Sequence, residues 1–112
     1  MTPISDKLKR IRDTLTGIEG IEGKVSHYRR PPNAVGYIVW YEEHDDSEYA
    51  GKMHDQIVVG KIEYRTLIEY DPMIDSIQEA LNENSKIAWR LYDVNYDDES
   101  GLILYEWDFN VT

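Results

Sequence analysis

Val58-Val59-Gly60-Lys61-Ile62-Glu63-Tyr64-Arg65-Thr66-Leu67-Ile68-Glu69-Tyr70-Asp71-Pro72 is the stretch on which the fold turns. Val58, Ile62, Tyr64, Thr66 and Ile68 fall on one side of an extended chain. Lys61, Glu63, Arg65 and Glu69 fall on the other, with Leu67 as the exception. Alternation of this kind marks an antiparallel strand with one face in a core and one in water. It predicts a strand over residues 55–69, with Gly60 marking a bulge or bend. Asp71-Pro72 then opens a helix, because an acidic N-cap is followed by a residue whose missing N–H is not needed in the first turn. Met73, Ile74, Ile77, Ala80 and Leu81 give that helix its apolar face, and Asn82-Glu83-Asn84-Ser85 stops it.

Working toward the N-terminus, Gly36-Tyr37-Ile38-Val39-Trp40-Tyr41-Glu42 predicts a second strand, rich in β-branched and aromatic residues. Residues 43–53 between the two strands are polar and without period, a long connection for a hairpin. Ile4, Leu8, Ile11, Leu15 and Ile18 predict a helix over residues 3–17. Thr2 is expected to cap it, with Pro3 at its first position, Asp6–Arg10 and Lys9–Asp13 as ion pairs, and Gly17 and Gly20 at its end. Lys24 to Tyr28 forms one short strand before Arg29-Arg30-Pro31-Pro32-Asn33 breaks regular structure.

Toward the C-terminus, residues 86–96 and 102–111 are two strands joined by Asp97-Asp98-Glu99-Ser100-Gly101, a polar turn ending in glycine. Ile103, Tyr105, Trp107, Phe109 and Val111 share one face of the last strand. The expected fold is α+β: an antiparallel sheet of four to five strands with two helices packed on one face. The other face, with Lys61, Glu63, Arg65, Glu106 and Asp108, is left to water or to a partner.

At 112 residues the chain reads as one domain, residues 1–112, since two would each be too small to bury a core. Nine Tyr and three Trp stand against one Phe, a bias that suits half-buried sheets and subunit contacts. The net charge of -10 is unevenly placed. Residues 1–33 carry seven Lys/Arg and four Asp/Glu, whereas residues 34–112 carry five and eighteen. So acidic a body repels a DNA backbone, and no specific nucleic-acid binding is expected. There is no cysteine, which rules out disulfides, thiolate nucleophiles and cysteine-held zinc. No segment has the length and apolarity of a signal peptide or a membrane span.

The residues that could carry chemistry do not assemble into a signature. His27, His44 and His54 lack the tight spacing of zinc ligands. Glu42-Glu43-His44-Asp45-Asp46 lacks the alternating oxygens, central glycine and final glutamate of a calcium loop. No serine lies in a Gly-x-Ser-x-Gly turn, and Gly17, Gly20 and Gly23 form neither a dinucleotide fingerprint nor a phosphate loop. The expectation is a protein that is not an enzyme and uses no metal or cofactor.

The second half of the chain resembles the tail-terminator and tail-completion proteins of long-tailed phages and prophages. The resemblance rests on Tyr37-Ile38-Val39-Trp40 followed by an acidic loop, and on Val59-Gly60-Lys61-Ile62-Glu63-Tyr64. It continues through Asp71-Pro72, Ile77-Gln78-Glu79-Ala80-Leu81, Trp89-Arg90-Leu91, the turn from Tyr96 to Gly101, and Tyr105-Glu106-Trp107. These are fold-forming positions spanning about residues 36–111. The resemblance implies a homo-oligomeric ring, a hexamer, that stops the tail tube and joins it to the head connector. Its partners would be other copies of itself, the tail-tube protein and the head-connector protein. Its place would be the virion neck, after assembly in the bacterial cytoplasm. The expected contact residues are Arg29 and Arg30, then Glu43, His44, Asp45, Asp46, Tyr49, Lys52 and Met53 in a loop that orders on assembly, and Asp97, Asp98 and Glu99. The alternative is an acidic interaction or inhibitor protein that fills a basic groove on a host protein.

Overall fold

The computed structural model describes residues 3–32, 35–43 and 57–112. In chain order its elements are α1 (Ile4–Thr16), β1 (Val25–His27), β2 (Ile38–Glu43), β3 (Val58–Thr66), α2 (Pro72–Glu83), β4 (Ile87–Tyr96) and β5 (Ile103–Val111). The strand that decides the sequence reading, β3, is the middle strand of a five-stranded sheet ordered β1-β2-β3-β5-β4. Val58, Ile62, Tyr64 and Thr66 are buried on the core side as expected, but the strand ends at Thr66, Ile68 beyond it is exposed, and Glu63 on the other face is buried as well.

Register carries that alternation across the sheet. Trp40, Ile62, Trp107 and Leu91 form one row, and Val58, Val111 and Ile87 another. Directly paired residues share a face, so these rows lie on one side. Ile11 and Leu15 of α1 and Ile77 and Leu81 of α2 join the same core from above. The fold is α+β, with both helices on one face of the sheet. Each fully buried aliphatic or aromatic side chain of this set contributes about 1.5–3 kcal/mol of burial.

The sheet is antiparallel except at one edge, where β1 pairs parallel to β2. Short-range alternation cannot show this, because direction depends on how the chain returns. Tyr28 N–H donates to Trp40 O at the end of β1, Gly36 N–H donates to Arg65 O beside the start of β2, and Arg30 reaches Glu63. Tyr28 makes the reversal with φ 69, Arg29 N–H bonding back to His27 O.

β3 and β4 both run antiparallel to β5. They are therefore parallel to each other, joined by α2, with β5 filling the gap between them. Gly60 is not a bulge, since its ladder is unbroken on both sides. A Cβ there would collide with the Tyr41 carbonyl and lie 2.7 Å from the Phe109 ring, so the position needs glycine for close approach. The bulge lies in β4, between Leu91 and Asp93.

α1 departs from expectation in three places. Pro3 is its N-cap rather than its first residue, and makes no side-chain cap. Lys7, one turn before Ile11, is buried, while Ile4 at the helix start is exposed. A lysine can lay its methylene stem along an apolar surface, so the stripe holds without a fifth aliphatic. Among the charged pairs, Arg10 instead donates to the Thr112 carbonyl at 3.0 Å, and Asp13 pairs with Arg12 at 2.8 Å.

Candidate interaction surfaces

Three polar groups stand out, two of them on the helix-covered side. Asp71 caps α2 through Met73 N–H, which donates to Oδ1 at 2.9 Å. Its Oδ2 accepts the hydroxyls of Tyr64 at 2.9 Å and Thr66 at 2.7 Å, and Thr66 Oγ1 in turn accepts Ile68 N–H. Burial opposes the carboxylate charge, but the hydrogen bonds outweigh it and hold Asp71 below its ordinary pKa. The group ends β3, turns the chain and starts α2. Every donor and acceptor in it is used by the fold.

His27 is sandwiched between Tyr28 and Trp40, with ring centroids 3.8 Å apart on each side. Its Nε2 lies 2.7 Å from Glu42 Oε1. Burial works against the Glu42 charge, yet hydrogen bonds from Tyr28 and His27 keep its pKa below the ordinary value. No spacing in the sequence pointed to this cluster. It is created by the parallel register that sets His27 beside Trp40. Among the described residues no three His, Cys, Asp or Glu side chains are grouped to hold a metal.

On the open face, Asp108 accepts from Lys61 at 2.7 Å and from Arg90 at 2.9 Å, and the Lys61 ammonium also sits 3.8 Å from the centre of the Tyr92 ring. Burial of Asp108 is outweighed by these two cations, which lower its pKa. Glu63 accepts from Arg30 and from Tyr41 and has Arg65 3.6 Å away. Burial first, then the charge of Glu63, pushes the Tyr41 phenol up to about 12. Asp108 and Glu63 are thus matched by cations, whereas Glu43, Asp93 and Glu106 on the same face make no ion pair among the described residues.

The sequence-predicted contact residues scatter. Arg30 is held by Glu63, and Arg29 is exposed beside it. Glu43 lines a shallow groove on the open face with Lys61, Arg90, Tyr92 and Asp108. Asp97 is occupied by its own turn, accepting Glu99 N–H at 3.1 Å and Ser100 Oγ–H at 2.8 Å, which leaves Asp98 and Glu99 exposed. His44, Asp45, Asp46, Tyr49, Lys52 and Met53 lie outside the described residues.

What sequence reasoning missed is the outer half of β4. Along its core-facing side exposure climbs from 6% at Ile87 to 45% at Leu91, 48% at Val94 and 62% at Tyr96. The cause is length. The twelve residues of α2 span about 18 Å at the helical rise. The ten residues of β4 span about 33 Å at the strand rise. The strand outruns the helix that covers it, and because β4 is an outer strand its far edge is also unpaired among the described residues. Comparing those two lengths in the sequence was the available signal.

Among known proteins, no family model and no curated protein matches the chain.

Proposed function

We propose that this protein is a structural subunit of the tail end of a long-tailed phage or prophage, forming a ring that terminates the tail tube and joins it to the head connector. The observation that carries the reading is the outer strand β4, whose apolar side is laid open beside a sheet edge that no described residue pairs. A surface of that kind is a template for pairing with another chain, and natural sheets that expose one use it or block it. The motifs over residues 36–111 supply the particular assembly, and the acidic excess supplies a reason why DNA would pass the ring without sticking. The test is to mix the purified protein with tail-tube protein and view the products by electron microscopy. Rings on tube ends and tubes of limited length are expected. A strict monomer that leaves tube growth unchanged overturns the reading.

A further inference from the structure

The two outer strands of the sheet, β4 and β1, are unlike in charge. β4 and its turn carry Asp93, Asp97, Asp98 and Glu99 against Lys86 and Arg90. β1 is flanked by Lys24, Arg29 and Arg30 against Glu22. Both edges also expose apolar side chains: Leu91, Val94 and Tyr96 on one, Tyr28 on the other.

We propose that the occupant of the β4 edge is the β1 edge of a second copy of this chain, so that the sheet continues from subunit to subunit. The inference rests on the ring reading and names its contact. Strand direction favours it. β1 runs with β2, β2 runs against β3, and β3 runs with β4, so β1 is antiparallel to β4 within one subunit. Two copies set side by side in the same orientation therefore bring β1 of one antiparallel to β4 of the other, the slightly more stable pairing.

Register makes the contact specific. Val25, Ile38, Tyr64, Tyr105 and Val94 lie in one row across the sheet. An unshifted contact sets Val25 against the neighbour's Val94 on the helix-covered side. It places Lys24 toward the acidic end of β4, while Arg29 falls toward Arg90 and Glu22 toward Asp97. Strand direction and the apolar Val25–Val94 row therefore carry the contact, and charge adds only Lys24. Because two different edges meet, the contact is head-to-tail, and head-to-tail contacts close into rings when the rotation per subunit permits.

The chain's lack of cysteine allows a clean test. Val25→Cys, Val94→Cys and the double variant are purified, checked by circular dichroism and oxidised in the presence of tail-tube protein. The double variant is expected to give a ladder of disulfide-linked multimers, and each single variant to give none. A Val94→Cys single variant that dimerises as fully as the double variant overturns the proposal in favour of β4 pairing with itself. Rings visible by microscopy with no ladder overturn it while leaving the ring reading intact. Absence of both rings and ladder overturns both. Hydrogen exchange of the wild type supplies a readout free of substitutions: protection gained on assembly at residues 25–27 and 91–96 is expected, and unchanged exchange there counts against the contact.

Discussion

At the scale of single residues, Asp71 and Gly60 are the positions whose identity the fold depends on most. Asp71→Ala removes the α2 cap and strands two hydroxyls, Tyr64 and Thr66, that are both buried. Loss of a cap and loss of a buried acceptor together are expected to cost about 2–4 kcal/mol, read as a lower urea midpoint at unchanged slope. Thr66→Val, which leaves the cap intact, is expected to cost less. Gly60→Ala is expected to cost about 3 kcal/mol, the scale of overpacking, because neither the Tyr41 carbonyl nor the Phe109 ring can retreat within a paired strand. Asp71 was legible in the sequence, since an acid before proline announces a cap. Gly60 was read as a bulge or bend, whereas it is glycine for close approach to Tyr41 and Phe109, which lie far away along the chain.

Elements were legible where the pattern is local. Both helices and all of the longer strands follow from periodicity, and their faces follow from which residues repeat. The parallel pairing of β1 depends on distant parts of the chain and was not legible, whereas the mismatch between the lengths of α2 and β4 was legible and was passed over. The contact residues expected from charge also fared unevenly, because Arg30 and Asp97 are used inside the fold, and charge alone does not reveal that. One tie between elements is open to measurement. Trp107 is fully buried in β5 and donates its indole N–H to Gln78 of α2 at 3.1 Å. Gln78→Leu leaves that donor without its acceptor and is expected to cost about 1–3 kcal/mol. An unaltered urea midpoint would show that the indole finds another partner.

For the molecule as a whole, titration sets the limits of stability at both ends of the pH scale. Asp71 and Asp108 have folded pKa values below the ordinary 3.8, and Glu42 below 4.5. The stability these carboxylates add is complete above those ordinary values and is lost as pH falls through the lowered ones. Tyr41 behaves oppositely. Its pKa rises from 10.0 to about 12, and Tyr64, buried and bonded to Asp71, is raised as well. The stability from these phenols is complete below pH 10; that from Tyr41 disappears as pH rises through about 12, and that from Tyr64 persists to still higher pH. Thermal melts from pH 2 to 12 should therefore show a plateau with two shoulders. Asp108→Asn should soften the acid shoulder, and Tyr41→Phe the alkaline one.

The insertion of β5 between β3 and β4 bears on how the protein is made. The strand translated last of the five is the one that the middle of the sheet waits for. While a ribosome is still adding residues 97–111, β3 has only β2 to pair with, and β4 has no neighbour at all. The nascent chain should stay open to proteases until Val111 clears the exit tunnel, then close in one late, cooperative event. A fragment ending at residue 101 is expected to give neither the near-ultraviolet dichroism of packed tryptophans nor a melting transition. Adding residues 103–111 as a separate peptide should restore both if the vacancy between β3 and β4 is what the fragment lacks.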